Sequence, residues 1–261
     1  MQKLISIDLK ADFGFFRKPD VNSGINLSYN MLHKPALLGI LGAIIGLEGY
    51  KKLGELPEYY QKLKDLKIGI EPLDKYHERG NFKKTVIKYS NTIGYANKGT
   101  NYLTEEATLI KPAYRVYLLL DMENKEHQKL HDYLENGKAE YLPYFGKNEF
   151  SAWWEKEDFK EYDFEKVESL KESFEIKTLF YKAEESVRKN KVSVAEDFDI
   201  FSLEASVSSF SYFERIPTGF DEELFQYELG NFAFTNFKLK KSDKIETLYH
   251  LKNENYYVQL L

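Results

Sequence analysis

The stretch PALLGILGAIIGLEGY, beginning at Pro35, limits what this chain can become more than any other part of it. Twelve consecutive residues, Ala36 to Leu47, are apolar or glycine, and Gly39, Gly42, Gly46 and Gly49 recur three, four and three apart. At 3.6 residues per turn that spacing places the glycines on one helical face. Each costs about 1 kcal/mol against alanine inside a helix, so the face must lie flat on a sheet or another backbone. Pro35 suits a first helical turn, and the pattern predicts a helix from there to about Lys52. Twelve apolar residues fall well short of the roughly 20 that cross a bilayer. The expectation is therefore a core helix of a βα unit, with no membrane span. Neither G-x-G-x-x-G nor the Walker pattern occurs, which speaks against a phosphate-binding glycine loop.

The flanking segments supply the rest of an α+β order. Residues 2 to 10, QKLISIDLK, read as a first strand that ADFGFFRK extends, with Gly14 interrupting it. A polar loop, PDVNSGINLSYN, leads to the helix. KIGIEPLDKY, FKKTVIKYS and KPAYRVYLLLD read as strands, and NTIGYANKGTNYLTEEATLI as a polar excursion. KEHQKLHDYLENGK is a short helix closed by Gly137, and AEYLPYFGKNEFSAWW follows as strand and turn. The order is strand, helix, three strands, helix, strand, which is the ferredoxin-like β-α-β-β-α-β order with one strand added between the helices. Residues 155 to 175 carry nine acidic and four basic residues and read as a solvated boundary segment. Beyond them EIKTLFYKA, FQYELGNFAFTNFKLKK and IETLYHLKNENYYVQLL predict a β-rich second part.

With no cysteine in the chain, disulfides and thiolate metal sites are excluded, and a reducing, cytoplasmic location is expected. The net charge of −5 divides unevenly: residues 1–120 hold 18 basic and 12 acidic side chains, and residues 121–261 hold 19 and 30. The excess of positive charge in the first part suits an anionic ligand. Aromatic and basic residues interleave twice there, in DFGFFRK with NLSYNMLHK and in NFKKTVIKYSNTIGYANK. Rings beside cations hold unpaired bases and their phosphates. The candidate RNA-binding residues are Phe15, Arg17, Lys18, Asn22, Tyr29, His33, Lys34, Lys83, Lys84, Lys88, Tyr95 and Lys98. His127 and His131 are spaced like metal ligands, but Gln128 replaces the glutamate of H-E-x-x-H, and lysines around them indicate a solvated face. No metal and no cofactor are expected. His33 and Lys34 near Tyr29 leave two readings open: phosphate binding at a helix start, or metal-free cleavage of RNA through its 2′-hydroxyl.

GFFRKPD, the polar loop and SYNMLHKPALLGILGAIIGLEGY resemble the opening of the family-five CRISPR-associated proteins, the subunit that holds the 5′ handle of the guide RNA in type I Cascade complexes. Lys34, Pro35, Ala36, Leu37, Leu38, Gly39, Leu41, Gly42 and Ala43 fit that family's helix pattern. PYFGKNEFSAW and YFERIPTGFD are similar to further family elements. The resemblance is carried chiefly by residues 4–50, extends to about residue 154, thins beyond it, and is greatest to the type I-B branch. It implies a ferredoxin-like (RRM-like, RAMP) domain over residues 1–154, a thumb inserted within about 77–108, and a smaller β-rich region over 155–261. It also implies a non-catalytic, antiviral role: capping the crRNA handle, beside a backbone subunit and a large PAM-reading subunit, with target DNA met only through the complex. One branch of that family cleaves precursor RNA with a tyrosine, a lysine and a histidine, for which Tyr29, Lys34 and His33 are the residues available here.

Overall fold

The computed structural model describes residues 1–20, 24–90, 103–170, 172–181, 209–239, 247–254 and 256–261. In chain order its elements begin with β1 (Gln2–Ala11), β2 (Phe13–Gly14), β3 (Phe16–Arg17), β4 (Asn26–Tyr29), α1 (Lys34–Ile45) and α2 (Glu58–Leu63). There follow β5 (Lys67–Pro72), β6 (His77–Glu78), β7 (Asn81–Phe82), β8 (Lys84–Ser90), β9 (Leu103–Ile110), β10 (Ala113–Asp121) and α3 (Lys125–Asn136). The remainder is strand, apart from one turn of 3₁₀ helix at Lys156–Asp158: β11 (Ala152–Trp153), β12 (Lys160–Tyr162), β13 (Phe164–Val167), β14 (Phe180–Tyr181), β15 (Ser211–Phe220), β16 (Tyr227–Thr235), β17 (Leu248–Leu251) and β18 (Tyr256–Gln259).

The central sheet has the order β11-β1-β10-β5, with β12 also on β1, and every pair is antiparallel. Fourth, first, third, second is the ferredoxin-like arrangement, so the fold is α+β of that type. Alternation along β1 sends Ile5, Ile7 and Leu9 to one face, where they join Leu37, Leu41 and Ile44 of α1 and Leu130 and Leu134 of α3 in one core. The acidic segment after residue 154 departs from the solvated boundary expected of it. Ser6, Ile5 and Leu4 pair with Lys160, Glu161 and Tyr162, because Tyr162 buries its ring and its hydroxyl meets Ser6 Oγ at 2.9 Å.

Helix α1 is shorter than its pattern predicts. Gly46 adopts φ 79° and its N–H bonds back to the α1 carbonyls, ending the helix six residues before Lys52. The glycine face packs on α2: a Cβ on Gly42 would stand 2.3 Å from Tyr59 Cβ. α3 starts on Asn124, whose side chain accepts from the Glu126 and His127 N–H groups, and ends on left-handed Gly137. His127, expected on a solvated face, is buried, and its Nδ1 accepts from the Asp121 N–H at 3.0 Å. An imidazole fills that corner because it caps the end of β10 while its ring packs. His131, expected on the same solvated face, is also largely enclosed: its side chain is 12% exposed, packs edge-on to Phe159 and meets Glu161 at 3.2 Å.

Residues between β5 and β10 leave the sheet. β8 and β9 form a hairpin paired from Lys84–Leu109 to Ser90–Leu103, and β9 also pairs with β2 and, in parallel, with β4. Two three-stranded sheets, β13-β17-β18 and β14-β16-β15, complete the fold. Ile216, Phe232 and Phe234 from the second enter the main core. The open edge of β5 is closed by Leu179 N–H on Ile70 O at 2.7 Å and by reciprocal bonds between Ile68 and Leu261.

Candidate nucleic-acid interface

Base stacking on the outer face of the central sheet, as in RRM proteins, is blocked here. Leu4, Tyr117, Leu119 and Tyr162 on that face are buried against Tyr249, Leu251, Val258 and Leu260. Farther along, Asp8 and Arg115 close the surface with a two-pronged pair at 2.7 and 2.9 Å. A ligand must use another side of the molecule.

The cleft of about 900 Å³ on the far side of α1 offers one. Its floor is the small-residue face of the helix, Pro35, Ala36, Gly39 and Ala43. Arg17 of β3 lines it as well, as do Tyr50, Tyr59, Tyr144 and Tyr227. Phe220 and Tyr227 stack at 4.9 Å between centroids and 23° between planes. Small residues in α1 are what leave room for rings above it. The cleft thus presents aromatic faces beside cations, the two contacts that hold single-stranded nucleic acid.

Three cations line it. Arg17 is exposed, Lys51 pairs with Glu48, and Lys147 is the most enclosed. Lys147 stands 2.7 Å from Glu106 and 3.1 Å from Glu149, with the Tyr89 ring centroid 4.0 Å away. Burial alone would depress its pKa, but Glu106, Glu149 and Tyr89 outweigh that and raise it to about 12. This lysine therefore ties the β8–β9 hairpin to the cleft loop. The loop itself is held by Gly146, and Phe15 N–H donates to Phe145 O at 3.0 Å.

The sequence candidates do not all meet there. Phe15, Arg17 and His33 line the cleft, although Phe15 is only 4% exposed. Lys18 is engaged with Glu214 at 2.9 Å and lies 5.0 Å from the Tyr29 ring centroid. Lys83, Lys84 and Lys88 lie at and along β8, exposed, with Lys88 paired to Glu105 at 2.7 Å. Asn22, Tyr95 and Lys98 lie outside the described residues. Tyr29, His33 and Lys34 do not converge. Tyr29 is buried and its pKa is pushed up to about 12 by desolvation. Lys34 sends Nζ away from the cleft, to Leu261 O at 3.1 Å.

His33 is an internal cap rather than an exposed phosphate ligand. Its Nδ1 accepts from Ala36 N–H at 3.3 Å, its ring packs edge-on to Tyr29 and Tyr227, and it is 2% exposed. Burial lowers its pKa to about 3. The unfolded imidazole takes a proton near pH 6.5 and the folded one does not, so folding is fully supported above pH 6.5. Stability should then fall by about 1.4 kcal/mol per pH unit as pH drops from 6.5 toward 3. His77 and His127 are lowered by burial in the same direction. We expect His33→Asn, which retains a capping side chain, to flatten the acid limb of stability measured by urea unfolding between pH 7 and pH 5. Equal slopes for both proteins would show that His33 already titrates in the fold.

Tyr50, Tyr59, Tyr144, Tyr227, Lys51 and Lys147 are cleft residues that sequence reasoning did not single out. PYFGKNEFSAW was noticed as a family-like stretch, and its Gly-Lys pair was the available signal for Lys147. No family model matches the chain, and no curated protein matches its sequence. Among solved structures, a CRISPR protein from Archaeoglobus fulgidus is 14% identical, with 98% of this chain and 97% of that one covered and a TM-score of 0.47. A chain of a CRISPR RNA-guided surveillance complex is 11% identical over 91% of each chain, with a TM-score of 0.46. This chain spans 57% of the length of a Cas protein that is 16% identical, with a TM-score of 0.34 and 57% of this chain covered. Likeness at this level says nothing of activity or partners.

Proposed function

We propose that this chain is a non-catalytic RNA-binding subunit of a CRISPR surveillance complex of type I, nearest the I-B branch, and that it holds the 5′ handle of the crRNA. The observation that carries the reading is the cleft beside α1, whose lining Arg17 of GFFRKPD and Lys147 of PYFGKNEFSAW share with Tyr50, Tyr59, Tyr144 and Tyr227. Both stretches are ones that resemble the family. Within this reading a single-stranded segment lies over the small-residue face of α1, and its phosphates meet Arg17 and Lys51. The thumb within about 77–108 corresponds to the β8–β9 hairpin, with Lys83, Lys84 and Lys88 along the guide. The backbone and large subunits are the neighbours, target DNA is met through the complex, and the location is cytoplasmic.

Cleavage is the weaker reading, because Tyr29 and His33 are buried together while Lys34 Nζ is directed elsewhere. The test is incubation with labelled repeat RNA in EDTA, run on native and denaturing gels. We expect a shifted band of intact RNA and competition by the handle sequence but not by a scrambled one. Arg17→Ala with Lys51→Ala should weaken binding about tenfold and flatten its salt dependence. Unchanged affinity in that double variant would sink the cleft assignment, and a discrete shorter product would establish cleavage.

A further inference from the structure

The β15–β16 hairpin contributes to the tyrosine cleft only at its base, where Phe220 and Tyr227 stack. At its tip Leu224 and Phe225 are both exposed. Phe225 holds φ 54°, a left-handed value that a bulky residue seldom adopts. The turn fixes it there: Asp221 Oδ1 accepts from the N–H groups of Glu223 at 2.9 Å and Leu224 at 2.7 Å, and Phe225 N–H donates to Asp221 O at 3.0 Å. Two consecutive bulky apolar side chains are thus presented to solvent on a hydrogen-bonded turn, the form of an anchor for a protein partner. Phe225 and Leu56 share a groove of about 430 Å³ with Gln61 and with Lys64, which Glu222 holds at 2.5 Å. An adjoining shallow concavity is lined by Asp65, Asp221, Glu222, Glu223 and Glu228, with Lys64 the one cation among its lining residues. Five carboxylates to one ammonium repel nucleic-acid phosphates and anionic headgroups and attract a cationic surface.

We propose that this hairpin tip docks a basic, amphipathic segment of a protein partner, whose apolar side chains pack on Leu224 and Phe225 while its lysines or arginines meet Glu223 and Glu228. The surface is separate from the RNA cleft and does not depend on the function proposed for it. The probe is a fluorescein-labelled amphipathic helical peptide of leucine and lysine, titrated by anisotropy with the folded full chain beside a counterpart that carries glutamate in place of lysine. We expect saturable binding of the lysine peptide, at least roughly tenfold tighter than that of the glutamate peptide. Leu224→Ser with Phe225→Asn removes the apolar pair while asparagine tolerates the positive φ, and should weaken binding about tenfold. Glu223→Lys with Glu228→Lys should weaken it as much. Glu155→Lys with Glu157→Lys makes the same change of charge at exposed residues that line neither concavity, and should leave the affinity within about twofold because distant exposed charges are screened. Thermal melts confirm that each variant folds. Non-saturable binding, equal affinity for the two peptides, unchanged affinity in either hairpin variant, or an equal loss in the Glu155 and Glu157 control would each overturn the proposal. Loss of RNA affinity in Leu224→Ser with Phe225→Asn would overturn it too, by assigning the tip to nucleic acid.

Discussion

Gly146→Ala should lower the unfolding free energy by about 3 kcal/mol or more, the range of a side chain forced into a filled, wrongly shaped site. Gly146 has φ 82°, and a Cβ there would lie 2.0 Å from Phe15 O and 2.8 Å from Phe15 C. Those atoms are main chain within the β2–β3 segment and cannot rotate aside. Gly54 provides the control, since it also has a positive φ of 81° but has nothing within 4 Å of its added carbon. Gly54→Ala should therefore cost only the backbone term, about 1 kcal/mol. Urea unfolding of the two variants checks the difference, and equal losses would mean that the loop moves freely away from Phe15. On the function proposed above, the substitution should also weaken RNA binding in whatever fraction remains folded, because Lys147 is carried on the same turn.

Glu214→Ala is expected to remove about 3 kcal/mol. The carboxylate is 6% exposed and accepts from the N–H of Asn30 at 3.1 Å and of Met31 at 3.0 Å, besides Lys18 Nζ at 2.9 Å. Truncation orphans two main-chain donors and a lysine at once, and loss of one partner in such a cluster costs about 3–5 kcal/mol. Lys18 is partly exposed and can recover some hydration, which places the estimate at the lower end. Glu214→Gln, which keeps an acceptor, should lose less than half as much. If both variants melt with the unaltered protein, the cluster contributes nothing and the turn before α1 is held by Tyr114, whose hydroxyl donates to Asn30 O at 2.7 Å.

Local patterns made the ferredoxin-like core readable. β1 and β10 announced themselves by apolar alternation and run, and α3 by its Gly137 stop. Of the four glycines expected on one helical face, only Gly39 and Gly42 lie within α1, and they meet the Tyr59 side chain rather than a sheet; Gly46 ends the helix and Gly49 lies beyond it with nothing within 4 Å of an added carbon. What escaped was whatever depends on distant pairing. Lys18 looked free because Glu214 lies nearly two hundred residues later in the chain. Tyr29 and His33 looked like exposed RNA ligands because nothing local says that Tyr227 will cover them. The same holds for β12, whose acidic composition suggests solvent until Tyr162 is seen seated on Ser6. Composition reports what a side chain tolerates, whereas burial is decided by which strands arrive next to it.

The way β5 is finished has a consequence for how the protein is made. During synthesis the strands around Ile68 and Ile70 emerge long before Leu179 and Leu261 can bond to them. Until then a row of unmatched amide and carbonyl groups, backed by apolar side chains, is open to any passing strand. A chain cut after residue 154 would keep that vulnerability permanently, lacking β12 as well. Such fragments should collect in inclusion bodies rather than behave as independent modules, because Leu179 and Leu261 are absent and the β5 edge stays open.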